Sequence, residues 1–164
     1  MSMDRYSKIK EIGKGSFGVA ILCERRNDRK KCVIKLISLR KMPPKEVTST
    51  LQESELLGRL RHPNIVALFG IMRYPPAIVE EYCARGSLFS VLQRHAKPGV
   101  PSLQWRVRLR LALGAACGMC YLHNCTPPVI HRDLKSANLM VDASFRVKVG
   151  DFNLSRVTAA NRAT

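Results

Sequence analysis

His131-Arg-Asp133-Leu-Lys135-Ser-Ala-Asn138 gathers one imidazole, two cations, one carboxylate and one amide into eight residues. No other stretch of the chain concentrates as much chemistry. Short apolar runs flank it, Val129-Ile130 before and Leu139-Met-Val141 after. Both read as strands bracketing a polar loop. Thirteen residues after Asn138, behind the strand-like Phe145-Arg-Val-Lys-Val149, stands Asp151-Phe152-Asn153.

Upstream of this loop the pattern is helical. Ser102 is placed to cap a helix running to His123. That helix is apolar nearly all round (Val107, Leu111, Ala115, Met119, Leu122), which predicts a buried core helix. Ser87 caps a shorter helix to about His95, and Pro98, Gly99 and Pro101 make the loop between the two. Arg85-Gly86 marks a change of character. Before it, apolar and polar residues alternate between turn signals. Tyr6–Ile12, Val19–Cys23 and Lys31–Ile37 read as an antiparallel meander, with the charged 25–31 stretch as a turn. Pro43-Pro44 opens a helix expected over Glu46–Arg61, and His62-Pro63 closes it, since the residue before proline avoids helical backbone. Ile65–Phe69 and Ala77–Tyr82 read as two further strands.

Gly13-Lys14-Gly15-Ser16-Phe17-Gly18 has G-x-G-x-x-G spacing, with Val19 behind it. Such glycines let backbone N–H groups approach phosphate. A dinucleotide fold would run from strand into helix here; this loop runs from strand to strand. Lys35 follows in Cys32-Val33-Ile34-Lys35, between apolar neighbours. Glu53 shares a helix face with Leu57 and Leu60, so it points inward and needs a counter-charge, which Lys35 can supply.

Composition narrows the class. The chain has 164 residues, 46% of them hydrophobic, with 28 Lys and Arg against 12 Asp and Glu, a net charge of +16. That excess suits polyanionic partners. The basic residues are scattered rather than set in a stripe with aromatics, so nucleic-acid binding is not expected as the main task. No apolar run reaches spanning length and no secretory leader precedes Tyr6, which predicts a cytosolic or nuclear protein. The six cysteines, at 23, 32, 83, 117, 120 and 125, are then reduced thiols. Cys117-Gly-Met-Cys120 invites a zinc reading, but it lies within the expected helix and lacks a second knuckle, so small buried helix residues are the better account.

Taken together, the glycine loop, Cys32-Val-Ile-Lys35, Glu53, the 131–138 loop and Asp151-Phe152 resemble the motifs of eukaryotic protein kinases, in order and in structural context. The resemblance covers the whole chain from Tyr6. Leu51-Gln-Glu-Ser-Glu, Glu81-Tyr-Cys-Ala-Arg-Gly-Ser-Leu88 and the Trp105–His123 helix are similar to the tyrosine-kinase-like group, particularly Raf-like kinases of plants and green algae. It implies an α+β, bilobal fold: residues 1–83 as a first lobe with a five-stranded antiparallel sheet and one helix, and residues 84–164 as the first part of a mostly helical second lobe.

The resemblance also implies roles. Gly13, Gly15 and Gly18 cover the phosphates, with Ile12, Lys14, Ser16, Phe17 and Ala20 also at the nucleotide; Val19 and Val33 lie above the adenine and Met140 below it. The carbonyl of Glu81 and the amide of Cys83 bind the adenine edge. Lys35, held by Glu53, takes the α and β phosphates of ATP. Asp133 accepts the proton of the substrate hydroxyl, Lys135 neutralises the moving phosphoryl group, and Asn138 and Asp151 bind Mg²⁺. Leu57, Leu68, His131 and Phe152 fall at the regulatory stack. Lys135 is similar to the serine/threonine pattern, so the expected partners are ATP and a protein presenting Ser or Thr.

Three residues depart from the family. Asn153 replaces the glycine of D-F-G, which predicts reduced loop mobility with metal binding kept. Val33 replaces alanine. Glu80 falls at the gatekeeper position, where a sheltered carboxylate needs a partner. The chain also stops eleven residues after Asn153 without A-P-E. A complete activation segment is therefore expected to be missing, leaving Ser155, Thr158 or Thr164 to carry a phosphate for Arg132. The alternative is a nucleotide-binding, non-catalytic module.

Overall fold

The computed structural model describes residues 2–14, 18–39, 43–152 and 156–157, without the side chains of residues 53, 56, 156 and 157. Gly15, Ser16, Phe17, Asn153, Ser155, Thr158 and Thr164 therefore lie outside the described residues, as does the side chain of Glu53. The chain forms two compact units. One comprises Met1–Leu60 and Ala67–Tyr82; the other comprises Arg61–Val66 and Cys83–Thr164.

The first unit is built on β1 (Tyr6–Lys14), β2 (Gly18–Arg25), β3 (Lys31–Ile37), β4 (Leu68–Arg73) and β5 (Pro76–Glu81), with one helix, α1 (Pro44–Leu57). The strands make one antiparallel sheet in the order β1-β2-β3-β5-β4. Alternate strand residues face opposite sides, and the two faces separate cleanly. Ile21, Cys23, Cys32, Ile34, Ala77 and Val79 pack with Tyr6 and Met72 in one cluster. Ile37 and Ile78 pack with Val47 and Leu51 of α1 on the other face.

Several boundaries differ from the sequence reading. Helix α1 starts at Pro44, where a missing N–H costs nothing in a first turn. It ends at Leu57 rather than Arg61, because the Leu60 amide donates to the Leu57 carbonyl in a tighter, three-residue turn. Strand β4 begins at Leu68 rather than Ile65. The backbone before it is committed to the second unit: Val66 N–H donates to the Val149 carbonyl at 2.8 Å, and Val149 N–H to the Asn64 carbonyl at 2.8 Å.

The second unit contains β6 (Gly86–Ser87), β7 (Val129–Ile130), β8 (Leu139–Val141), β9 (Val147–Val149) and β10 (Arg156–Val157), with helices α2 (Leu88–His95) and α3 (Trp105–His123). The sheets are β6-β8-β9 and β10-β7. The Ser87 hydroxyl caps α2 by accepting from the Ser90 amide. Ser102 does not cap α3; the Val107 and Arg108 amides go instead to the Gln104 carbonyl. Helix α3 crosses β9 closely enough that a Cβ on Gly118 would lie 2.8 Å from Val149 Cγ2. Its burial is narrower than its composition suggests. Leu111, Gly118 and Leu122 are buried, while Trp105, Leu109 and Leu113 are exposed.

Candidate active site

The 131–138 loop in the second unit is held by its own polar groups. His131 is buried, and its Nδ1 accepts from the Asp133 amide at 3.3 Å. Its Nε2 therefore carries the proton and donates to the Gly150 carbonyl at 2.9 Å. The ring also meets Phe152, centroid to centroid 5.4 Å. Arg132 and Asp151 both have left-handed backbones, φ 61° and 60°. Side-chain-bearing residues are held there only when surrounding bonds over-determine them, a pattern that gathers at functional sites.

Asp133 is the centre of the cluster. Lys135 Nζ lies 2.9 and 2.8 Å from its two carboxylate oxygens, and Asn138 Nδ2 donates to Oδ2 and to the Asp133 carbonyl, both at 2.8 Å. The Lys135 bond, and after it the Asn138 bond, hold the Asp133 carboxyl below its ordinary range against a small desolvation penalty. At neutral pH it is an anion with spare acceptor capacity. The Asn138 amide spends its NH₂ on Asp133, which leaves Oδ1 as an oxygen donor. Gly150 N–H donates to the Asn138 carbonyl at 3.0 Å, so Asp151 follows directly on a residue tied to Asn138. An amide oxygen and a carboxylate are the ligand types that a hard divalent cation such as Mg²⁺ takes. Met140 on β8 is half-buried, its Cγ 3.5 Å from where a Gly150 Cβ would be. Motif spacing does not single out Gly150, although it bonds both His131 and Asn138; its place before Asp151 is the one local signal.

The first unit carries the rest. Ala20 and Val33 share a sheet face with Lys35: Ala20 pairs with Lys35, and Leu22 with Val33. Val19 pairs with Leu36 and packs on the Cys23 side instead, so the register turns Val19 away from Lys35. Ile12, Gly13 and Lys14 are exposed at the end of β1. Gly18 opens β2 at φ 153°, and a Cβ there would overlap the Leu36 carbonyl oxygen. The Glu81 amide bonds the Ala67 carbonyl at 2.8 Å, and its carboxylate accepts from the Ala67 amide at 3.2 Å. Cys83 is buried, and its carbonyl accepts from Gly86. Lys35 Nζ lies 3.0 Å from Glu80 Oε2, a pair that the local sequence pattern does not predict.

A profile of the protein kinase domain matches residues 6–164. This chain belongs to the protein kinase domain family. The kinase domain is 44% identical over 155 residues to the serine/threonine-protein kinase CTR1 of Arabidopsis thaliana, covering 93% of this chain and 18% of that protein. It is 38% identical over 153 residues to the probable serine/threonine-protein kinase drkA of Dictyostelium discoideum, covering 89% of this chain and 22% of that one. The chain thus spans about a fifth of the length of these relatives. The C-x-x-C segment of the kinase domain is helical as expected, but Cys117 and Cys120 are exposed rather than buried, because α3 turns Leu111, Gly118 and Leu122 inward instead. Among the described residues no three His, Cys, Asp or Glu side chains are placed to hold a metal ion. Among the same residues, no helix is long and apolar enough to cross a membrane.

Proposed function

We propose that this kinase domain is the nucleotide-binding and catalytic portion of a cytosolic or nuclear, Raf-like serine/threonine kinase that transfers the γ-phosphoryl group of ATP to protein hydroxyls. The observation that carries the reading is the Asp133 carboxylate, ionised and clamped by Lys135 and Asn138. Phosphoryl transfer needs positioning and charge neutralisation more than strong base catalysis. A carboxylate held below its ordinary pKa suits that task. It accepts a hydrogen bond from the Ser or Thr hydroxyl, aligns the oxygen, and takes its proton late, as the phosphoryl group moves. Lys135 donates to the transferring oxygens from its position beside Asp133. Lys35, with Glu53, grips the α and β phosphates, and the 13–18 glycine loop covers them. Val33, Ala20 and Met140 are adenine-contacting residues, and the backbone groups of Glu81 and Cys83 bind the adenine edge, as the family resemblance implies. Asn138 Oδ1 and Asp151 would hold Mg²⁺, which would neutralise charge on the phosphate oxygens.

The test is phosphate incorporation from γ-labelled ATP into a Ser/Thr protein substrate. Asp133→Asn is expected to lower it by about 10²–10⁴-fold in a protein that still folds, as circular dichroism checks. Equal incorporation by both proteins overturns the catalytic reading; nucleotide binding without incorporation by either leaves a nucleotide-binding module.

A further inference from the structure

The ion pair between Lys35 and Glu80 stands where the family resemblance places no carboxylate. Strand register puts it there. Val33 pairs with Glu80 and Lys35 with Ile78 across β3 and β5. Partners share a face and so do alternate residues, so Lys35 and Glu80 lie diagonally on the side that faces α1. The Glu80 side chain is 14% exposed and that of Lys35 30%. Opposite charges this sheltered attract more strongly than a pair in open water. Glu80 would be costly here without a counter-charge, and Lys35 Nζ, at 3.0 Å, supplies it.

The same ammonium grips the nucleotide phosphates in the proposed function, and a role for Glu80 in nucleotide choice rests on that reading. A lysine is a single point charge with three N–H donors. The Glu80 carboxylate occupies at least one of them and offsets the field that an arriving phosphate would meet. We propose that Glu80 is a specificity-determining residue that competes with nucleotide phosphates for Lys35, and so lowers the preference for ATP over unphosphorylated adenosine. A merely structural cross-strand pair would change folding stability without distinguishing the two ligands.

Calorimetric titration of the whole chain with Mg-ATP and with adenosine tests this. Glu80→Gln removes the charge at nearly constant shape; Glu80→Thr removes the carboxylate with a side chain that suits a strand. Both are expected to tighten Mg-ATP binding by roughly threefold to tenfold and leave adenosine affinity unchanged. The gain is expected to vanish in a Lys35→Met background and to shrink at high salt. An unchanged or weakened Mg-ATP affinity in the Glu80 variants overturns the proposal. So does an equal shift for adenosine, or a gain that survives Lys35→Met. Failure of the underlying reading looks different: wild type and Lys35→Met would then bind Mg-ATP alike.

Discussion

Asp142 shows how much one side chain can organise. Its Oδ1 accepts from the amides of Ser144 and Arg146, both at 2.9 Å, and from the Ser144 hydroxyl at 2.7 Å, closing the turn between β8 and β9. Burial works against its charge, but the Arg146 amide and the Ser144 hydroxyl and amide prevail and hold the carboxyl below its ordinary range. Asp142→Ala leaves those donors without their acceptor and is expected to cost about 1–3 kcal/mol in urea unfolding. Asp142→Asn keeps an oxygen acceptor and should lose less. The cluster of Asp133, Lys135 and Asn138 was readable without a structure because its members stand at short local spacing in one loop. The partner of Glu80 was not readable. It lies 45 positions away in the chain, and only the β3–β5 register brings it close.

At the scale of elements, α3 separates composition from burial. Its apolar residues run round the whole helix, yet Leu111 is 2% exposed while Leu109 is 52% and Leu113 65% exposed. Leu111→Ala is expected to destabilise by about 2–5 kcal/mol. Leu109→Gln and Leu113→Gln should each stay within about 0.5 kcal/mol of wild type and reduce self-association, with denaturant unfolding and light scattering as the measurements. The strands were legible from alternation because each has one clear inner set. The start of β4 was not, because Ile65 and Val66 look equally strand-like while their backbone groups are committed elsewhere, Val66 N–H to the Val149 carbonyl. Likewise Ser102 carries a capping side chain, but the first amides of α3 find the Gln104 carbonyl.

The ionisable groups of the whole molecule set a stability window. Asp133 and Asp142 are lowered, so their contribution is complete above the ordinary carboxylate pKa of 3.8 and is lost as pH falls through their depressed values. Cys32 is pushed up to about 11, first by burial and then by neighbouring Cys23; burial also raises Cys23 and Tyr6. The thiols' contribution is complete below their ordinary value of 9.0, that of Cys32 fading as pH rises towards about 11, and the Tyr6 contribution is complete below its ordinary value of 10.0. Melting temperature against pH at constant ionic strength is therefore expected to be level between about pH 5 and 8.5 and to fall on both sides. By itself the sequence determined the family, the order of strands and helices, and the residues of the 131–138 loop, since hydrophobic period and motif spacing are local properties. Tertiary structure alone decided that Lys35 meets Glu80, that Val19 turns away while Ala20 faces Lys35, and which side of α3 is covered. Each of those depends on register or packing between segments distant in the chain, which no local pattern encodes.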